Sequence, residues 1–314
     1  MKPRIIITAY THPYLPEALL SRGFTVDVKE KITYDELIKE IHHYHGMVVT
    51  TRIKVDKQLL DAALELKWIG RLGSGMEIID VDSASQKNIL CMSSPEGNKD
   101  AVAEQCLGVL LSMMHNVFRS GLQVRNGKWL REANRGVELG GKTVGIIGYG
   151  NTGSAFARLL TPFGVKVLAH DKYKKGFGSD HVKEVTLDAI LQQADAISFH
   201  LPLTPETYHY ANETFFNALH KPIYLVNASR GPIVDTAALV LALEGGRVIS
   251  AGLDVIENEN LGAYRPQELE AFLKFSNRDD IWITPHIGGY SKESLEKMAK
   301  VLIIKLDQAN IDWF

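Results

Sequence analysis

The sequence predicts an α/β protein with two parallel-sheet domains, and three observations carry that prediction. Over residues 4–93, short apolar runs alternate with amphipathic ones. After a long apolar helical stretch the same alternation resumes at Thr143 and continues to residue 287. At that restart an apolar run, TVGIIG, leads directly into glycines at 148, 150 and 153. Strands that alternate with helical segments build parallel sheets, because each crossover must be long enough to lay a helix on a sheet face.

Taken in order, RIIITAY (4–10) reads as a buried strand and YDELIKEIHHYH (34–45) as an amphipathic helix. GMVVTT (46–51) is a strand and VDKQLLDAALEL (55–66) a helix, while KWIGRLG (67–73) and NILCMS (88–93) continue the pattern. A domain boundary is expected near SSPEGN (93–98). The stretch 100–127 then reads as one long helix with Leu, Val and Met at spacings of three and four. It is either an ordinary buried helix or one that also packs on a second subunit. From Thr143 the reading is TVGIIG, helix 151–161, VKVLAHD, a short helix near 187–193, AISFHL and a helix near 213–219. PIYLVNAS, helix 235–244, VISAGLDV and IWITPHI complete it. Six strands are thus expected, the count of a fold assembled from two mononucleotide-binding halves. The segment from Ser291 to residue 311 is a strongly periodic helix with Ser291 and Glu293 or Ser294 as capping candidates.

The glycine turn fits a dinucleotide. Gly148 permits the tight turn, Gly150 leaves no side chain between backbone and pyrophosphate, and Gly153 lets helix and strand pack closely. The helix beginning at Asn151 offers free N–H groups to an anion, from Asn151 and Thr152 among others. About twenty residues beyond the glycines, VKVLAHD ends in Asp171, placed to accept hydrogen bonds from ribose hydroxyls and to repel a 2′-phosphate. Lys172, Lys174 and Lys175 argue mildly the other way, but the acid occupies the ribose position, so NAD is favoured over NADP.

Composition narrows the partners. The formal net charge of −2, from 35 Lys and Arg against 37 Asp and Glu, provides no overall field toward nucleic acid or an anionic membrane, which points to a small molecule. Two cysteines, Cys91 and Cys106, are too few for a disulfide scaffold and sit in no zinc pattern, as befits a reducing cytoplasm. The N-terminal apolar run is broken by Pro13 and Pro16, so neither an export signal nor a membrane span is expected. His42, His43 and His45 invite a metal reading; His42 and His45 would share a helix face, but no third ligand is evident and no metal is expected.

In open parallel sheets, ligands bind beyond the C-terminal ends of the strands. PIYLVNAS leads to Arg230, VISAGLDV to Asp254 and then Glu259, and IWITPHI presents His286. Singly, each has a bland alternative as a cap, a solvated acid or a strand-end imidazole. Together, an Arg, a carboxylate and a His at three successive strand ends suit a reaction that moves a hydride and a proton.

The strings GKTVGIIGYGNTG, HLPLTPET, VNASRGPIVD, AGLDVIENE and TPHIGG, in this order, closely resemble the D-isomer-specific 2-hydroxyacid dehydrogenases, and within them the phosphoglycerate dehydrogenase-like branch. The resemblance implies two Rossmann-like or flavodoxin-like domains. An NAD-binding domain (98–287) is inserted in a discontinuous substrate domain (1–97 and 288–314), and the cleft between them is the site. It implies a homodimer through the long helix after Asn98 and a role in serine biosynthesis. The catalytic arginine falls on Arg230, the glutamate on Glu259 and the acid/base histidine on His286. Leu201, Pro202, Thr207, Ala228, Ser229 and the segment from His286 through Gly288 to Gly289 are implied to touch the cofactor, with Asp254 on the nicotinamide amide. Ser74 and Gly75, in the loop GSGM, are implied to hold the substrate carboxylate. Where the branch usually has RSxT, this chain has Thr50, Thr51, Arg52 and Ile53, so only Arg52, or Lys54, is left to meet a phosphate near Thr51. Glu77 replaces the usual Asp of the GVDNID loop, and the chain ends at Phe314, where longer relatives add a serine-sensing domain, so feedback by that route is not expected. Hydroxypyruvate or glyoxylate reduction is the second enzymatic reading, and an NAD-sensing corepressor-like protein is a reading of another class.

Overall fold

Strands as apolar as RIII, GMVV and WIGR need cover on both faces, and a parallel sheet between helices supplies it. The computed structural model, which describes residues 2–309, contains two such sheets in two units. One unit runs to Lys99 and resumes at Gly289; the other is Asp100–Gly288. Met1 and residues 310–314, the latter part of the expected substrate domain and of the expected final helix, lie outside the described residues.

The first unit comprises β1 (Arg4–Ile7), α1 (Tyr14–Ser21), β2 (Thr25–Val28), α2 (Tyr34–Glu40), β3 (Gly46–Val49), α3 (Lys57–Ala62), β4 (Trp68–Arg71), α4 (Val81–Gln86) and β5 (Leu90–Ser93). All strand pairs are parallel, in the order β2-β1-β3-β4-β5, the flavodoxin-like arrangement. Sequence periodicity does not reveal α1, because Pro13 and Pro16 look like breaks; yet Pro16 lies in the first turn of α1, where a missing N–H leaves no bond unmade. The helix expected over 34–45 is shorter. It starts at a capping box formed by Thr33 and Glu36, ends at Glu40, and gives way to a 3-10 turn over Ile41–His43. His42 and His45 therefore do not share a helix face, and the His45 ring instead accepts the Arg4 N–H at 3.1 Å. No group of three metal-ligating side chains occurs among the described residues.

The C-terminal helix (Lys292–Gln308) starts at a Ser291–Ser294 capping box. Its Met298, Ala299, Leu302, Ile303 and Leu306 are buried with Ile5, Ile7, Leu15 and Leu19 of β1 and α1, so the end of the chain completes the first core. The two units divide between Lys99 and Asp100, just past the boundary expected near 93–98. A helix, α5 (Pro95–Met114), begins there with proline at its first position, where a missing donor and a fixed φ are tolerated. The single long helix expected beyond it is two. Asn116, at φ 51°, breaks the run, and α6 (Val117–Arg125) leaves at a 64° bend. No single helix among the described residues is long and apolar enough to cross a membrane.

The second unit continues with β6 (Thr143–Ile147), α7 (Asn151–Leu160), β7 (Lys166–His170), β8 (Val182–Glu184), α8 (Leu187–Gln193), β9 (Ala196–Phe199), α9 (Glu213–Asn217), β10 (Ile223–Asn227), α10 (Thr236–Glu244), β11 (Val248–Leu253), α11 (Pro266–Ser276) and β12 (Ile281–Ile283). The sheet has seven strands rather than six, in the order β12-β11-β10-β9-β6-β7-β8. The addition is β8, a three-residue edge strand that periodicity is too short to disclose. Consecutive residues enter different cores, as pleating requires. Ile147 joins the cluster under α8, α9 and α10, whereas Ile146 joins the one under α5 and α7. Chain reversal in strand order falls between β6 and β9, which fixes where a ligand of this unit belongs.

Candidate active site

The turn after β6 is built from three glycines under different constraints. Gly148 has φ 93°, and a Cβ there would overlap the carbonyl of His200; a Cβ on Gly153 would overlap the carbonyl of Gly148. A Cβ on Gly150 meets nothing within 4 Å. Gly148 and Gly153 are thus required by packing, whereas the space over Gly150 is open. Gly150 is also the N-cap of α7 and brings no side chain to its first-turn N–H groups, which remain available to an anion. These residues fit a dinucleotide pyrophosphate.

Two neighbours stiffen the turn. Asp171 lies just past β7, and its Oδ2 accepts the Tyr149 N–H at 2.8 Å while Oδ1 accepts those of Tyr173 and Lys174 at 2.9 Å. Burial opposes the charge, but the three backbone donors outweigh it and hold the carboxyl below the usual aspartate range. The nearby lysines are engaged: Lys172 with Glu206 at 2.9 Å, Lys174 with the Tyr149 carbonyl at 3.1 Å and Lys175 with the Asp171 carbonyl at 3.4 Å. His200 supports the turn from below. Burial pushes its imidazole down to about 3, so the neutral ring bridges Ser198 Oγ at 2.9 Å and Thr152 Oγ1 at 3.2 Å. The segment after His200 is closed by Thr207, whose hydroxyl donates to the Pro202 carbonyl at 2.6 Å and accepts the Thr204 N–H at 2.8 Å; Leu201 is half-buried beside it.

Arg230, Glu259 and His286 follow β10, β11 and β12, which are adjacent in the sheet. At the end of β10, the side chain of Asn227 is fully buried. Its Oδ1 accepts the N–H and hydroxyl of Ser229, next to Ala228, and its Nδ2 donates to the Arg230 carbonyl at 2.9 Å. The Arg230 guanidinium donates to the Ser229 carbonyl at 2.6 Å. Beyond β11 stands Asp254, 3% exposed. Its Oδ1 accepts from the Thr284 hydroxyl at 2.5 Å and the Ile287 N–H at 3.0 Å, and its Oδ2 from the Gly288 N–H at 2.7 Å. Gly288 has no room for a Cβ, which would meet Asp254 Oδ2 at 2.8 Å.

That capture shapes the turn bearing His286. Its backbone takes φ 55°, uncommon for a residue with a Cβ, and its N–H donates to the carbonyls of Asp254 at 2.8 Å and Thr284 at 2.9 Å. From this turn Nδ1 of His286 lies 2.9 Å from Oε2 of Glu259, with both side chains partly open to solvent. An ionised carboxylate only accepts, so Nδ1 carries a proton toward Glu259 and Nε2 is the nitrogen left for chemistry.

The remaining expected residues belong to the first unit, also at C-terminal ends of strands. Thr51 is exposed, and the Arg52 guanidinium beyond β3 donates to the Thr8 carbonyl beyond β1 at 2.5 Å. In the loop after β4, the Gly73 N–H donates to Ser94 Oγ at 3.1 Å and Ser74 Oγ donates to Asn98 at 3.1 Å; half-buried Gly75 follows. A Cβ on Gly289 would press on the Asn98 side chain at 2.6 Å. Sequence reading assigns no task to His200, Asn227 or Thr284. Each sits inside a quoted motif, so the signal was position within HLPLT, VNAS and TPHIGG rather than residue chemistry.

Two outcomes follow from the cradle. Gly150→Ala, at φ −87° and in open space, leaves the thermal midpoint nearly unchanged while weakening NADH binding, read by fluorescence titration; Gly148→Ala and Gly153→Ala lower the midpoint itself. For Asp171 the depressed carboxyl contributes stability that is present above the unfolded value of about 3.9 and lost as the pH falls through the folded one. Asp171→Asn therefore has a lower urea midpoint than the parent at about pH 7, and the gap narrows as the pH falls below the unfolded value of about 3.9. A pH-independent gap refutes this account.

Residues 107–288 match the family description "D-isomer specific 2-hydroxyacid dehydrogenase, NAD binding domain". The chain is 36% identical to a D-3-phosphoglycerate dehydrogenase of Archaeoglobus fulgidus over 87% of its own length and 50% of the relative's. With a hydroxypyruvate reductase of Thermotoga maritima it shares 34% identity, covering 88% of each. Among solved structures, a D-lactate dehydrogenase from Aquifex aeolicus, crystallised with NAD and lactic acid, superposes at a TM-score of 0.82 and 28% identity, covering 97% of this chain and 94% of that one. The chain spans about half the length of the D-3-phosphoglycerate dehydrogenases it matches. It belongs to the D-isomer specific 2-hydroxyacid dehydrogenase family, with residues 107–288 as the NAD binding domain.

Proposed function

We propose that the protein is an NAD-dependent dehydrogenase that interconverts a D-2-hydroxy acid and its 2-oxo acid. The observation that carries this reading is the 2.9 Å contact between His286 Nδ1 and Glu259 Oε2 at strand ends neighbouring that of Arg230. NAD, when bound, accepts or supplies the hydride at its nicotinamide ring. His286 handles the proton at Nε2. It accepts one from the substrate hydroxyl during oxidation and donates one to the carbonyl oxygen during reduction, while Glu259, 2.9 Å from Nδ1, keeps the ring oriented. Arg230 grips the substrate carboxylate with a planar fork suited to two charge-assisted hydrogen bonds and polarises the neighbouring carbonyl. Asp254, three of whose roughly four acceptor positions are filled, keeps one for the nicotinamide amide. Gly148 to Gly153 cradle the pyrophosphate, and Asp171 takes the ribose.

For the substrate, D-3-phosphoglycerate in serine biosynthesis is the leading reading, with Arg52 or Lys54 toward the phosphate. Hydroxypyruvate or glyoxylate reduction is the second. It is favoured by Arg52 being drawn to the Thr8 carbonyl and by a hydroxypyruvate reductase of similar length among the relatives. Relative kcat/KM on phosphohydroxypyruvate and hydroxypyruvate decides between them. His286→Ala lowers turnover by roughly 10²- to 10⁴-fold with NADH binding retained; unchanged turnover refutes the assignment. Failure of a broad 2-oxo acid panel to oxidise NADH returns the protein to the NAD-sensing, corepressor-like reading.

A homodimer is part of the proposal. What supports it is the apolar surface of α6 and the segment after it: Phe118 is 63% and Trp129 77% exposed, with Val117 and Leu122 also open. Light scattering should give twice the chain mass, and Leu122→Glu should shift it toward the monomer; a monomeric parent overturns the dimer.

A further inference from the structure

Outside the residues already assigned, the second unit holds one cluster in which an imidazole meets two carboxylates. His209 Nε2 lies 2.9 Å from Glu257 Oε2, and Nδ1 lies 3.6 Å from Asp235 Oδ2. The ring stacks on Tyr208 at 4.1 Å. The other oxygen of Glu257, Oε1, accepts the Thr236 N–H at 2.8 Å, at the first residue of α10. Burial opposes charge on Glu257, but Thr236 and His209 together hold its carboxyl below the usual glutamate range. Asp235 caps the same helix through Oδ1, leaving Oδ2 toward the imidazole.

The backbone of His209 is tied to the neighbouring segment as well. Its N–H donates to the Pro232 carbonyl at 2.7 Å, and Ala211 forms a bridge with Val234, so residues 209–211 run alongside the segment that follows Arg230. His209 adopts φ 50° to do so. That segment in turn presses on the one bearing the glutamate: a Cβ on Gly231 would overlap the carbonyl of Ile256, with no room for even a methyl group between them. One residue thus grips both loops, its backbone the loop of Arg230 and its ring the residue two before Glu259.

We infer that His209, through Glu257, is a positioning residue that holds Glu259 against His286. The inference rests on the dehydrogenase reading. Because Glu257 and Glu259 lie on the same short segment between β11 and α11, freeing the first lets the second drift from Nδ1 of His286. A displacement on the order of 1 Å at such a contact costs up to about a hundredfold in rate. No contact of His209 with a substrate is invoked, so its loss acts on turnover and leaves cofactor binding alone.

The test is a double-mutant cycle on 2-oxo acid reduction by the full chain. His209→Asn is the variant of choice, since asparagine tolerates the left-handed backbone and is too short to reach Glu257. Glu257→Gln attacks the same contact from the other partner and serves where the first fails to fold. The expected result is a fall in kcat of about tenfold or more for His209→Asn at unchanged NADH affinity, with no further fall when it is added to Glu259→Gln. Additive losses in the double variant overturn the positioning role, as does an unchanged kcat in both single variants. If Glu259→Gln itself leaves kcat unchanged, the dehydrogenase assignment of Glu259 fails first and the inference with it, a result distinct from additivity.

Discussion

A carboxylate taken out of water must be met by donors, and the site geometry of the second unit depends on how Asp254 is met. Its three partners, the Thr284 hydroxyl and the N–H groups of Ile287 and Gly288, all come from the turn that follows β12. Leaving any of them unpaired at 3% exposure would cost on the order of 1–3 kcal/mol, so the turn has little freedom to take another path. With that path fixed, His286 is carried into a left-handed backbone conformation it would not choose alone, and its ring emerges at hydrogen-bond distance from Glu259. Gln105, donating to Thr284 at 3.2 Å, extends the network into α5. The His286–Glu259 pair is therefore partly open to solvent, but Asp254, which fixes the turn that aims it, is buried.

The glycine turn follows the opposite logic, since its function comes from side chains that are missing. Gly148 and Gly153 are small because carbonyl oxygens of His200 and Gly148 occupy the space a Cβ would need; Gly150 is small although nothing in the protein opposes a larger residue. Open space at an uncapped helix start, walled by packed backbone on either side, is what a diphosphate needs. The surroundings are stiff for the same purpose. Asp171 ties together the amides of Tyr149 in the glycine turn and of Tyr173 and Lys174 after β7, and His200, kept neutral by burial, supports Thr152 without bringing a cation into the core.

Legibility in the sequence follows the range of the interaction that makes each feature. The start of α7 and the cap of the C-terminal helix arise from contacts within a few residues, and the glycine and Ser291 signals display them directly. Features fixed by partners far along the chain leave no such trace. Short edge strands β2 and β8 exist because a neighbouring strand offers hydrogen bonds, and neither is long enough to develop a period. The break at Asn116 needs a single left-handed residue in an apolar run that otherwise reads as continuous helix. In the site, Arg230, Glu259 and His286 stand out as polar residues ending or following apolar runs. The tasks of Asp254 toward its turn and of His209 toward Glu257, partners 48 residues apart, emerge only once the sheet brings those segments together.

Sheet order also sets the scale of the chemistry. The glycine turn and Asp171 lie at β6 and β7, on one side of the strand-order reversal, whereas Arg230, Glu259 and His286 follow β10, β11 and β12 on the other. Neighbouring parallel strands are about 4.8 Å apart, so three successive strand ends span roughly 10 Å. That span is on the scale of a small organic acid. An arginine at one end and an imidazole at the other can address the two ends of a 2-hydroxy acid without either loop reaching outward. The same spacing forbids independent adjustment. Gly231 packs against the Ile256 carbonyl with no room for a Cβ, so a shift of the Arg230 loop toward the Glu259 loop is resisted by backbone contact.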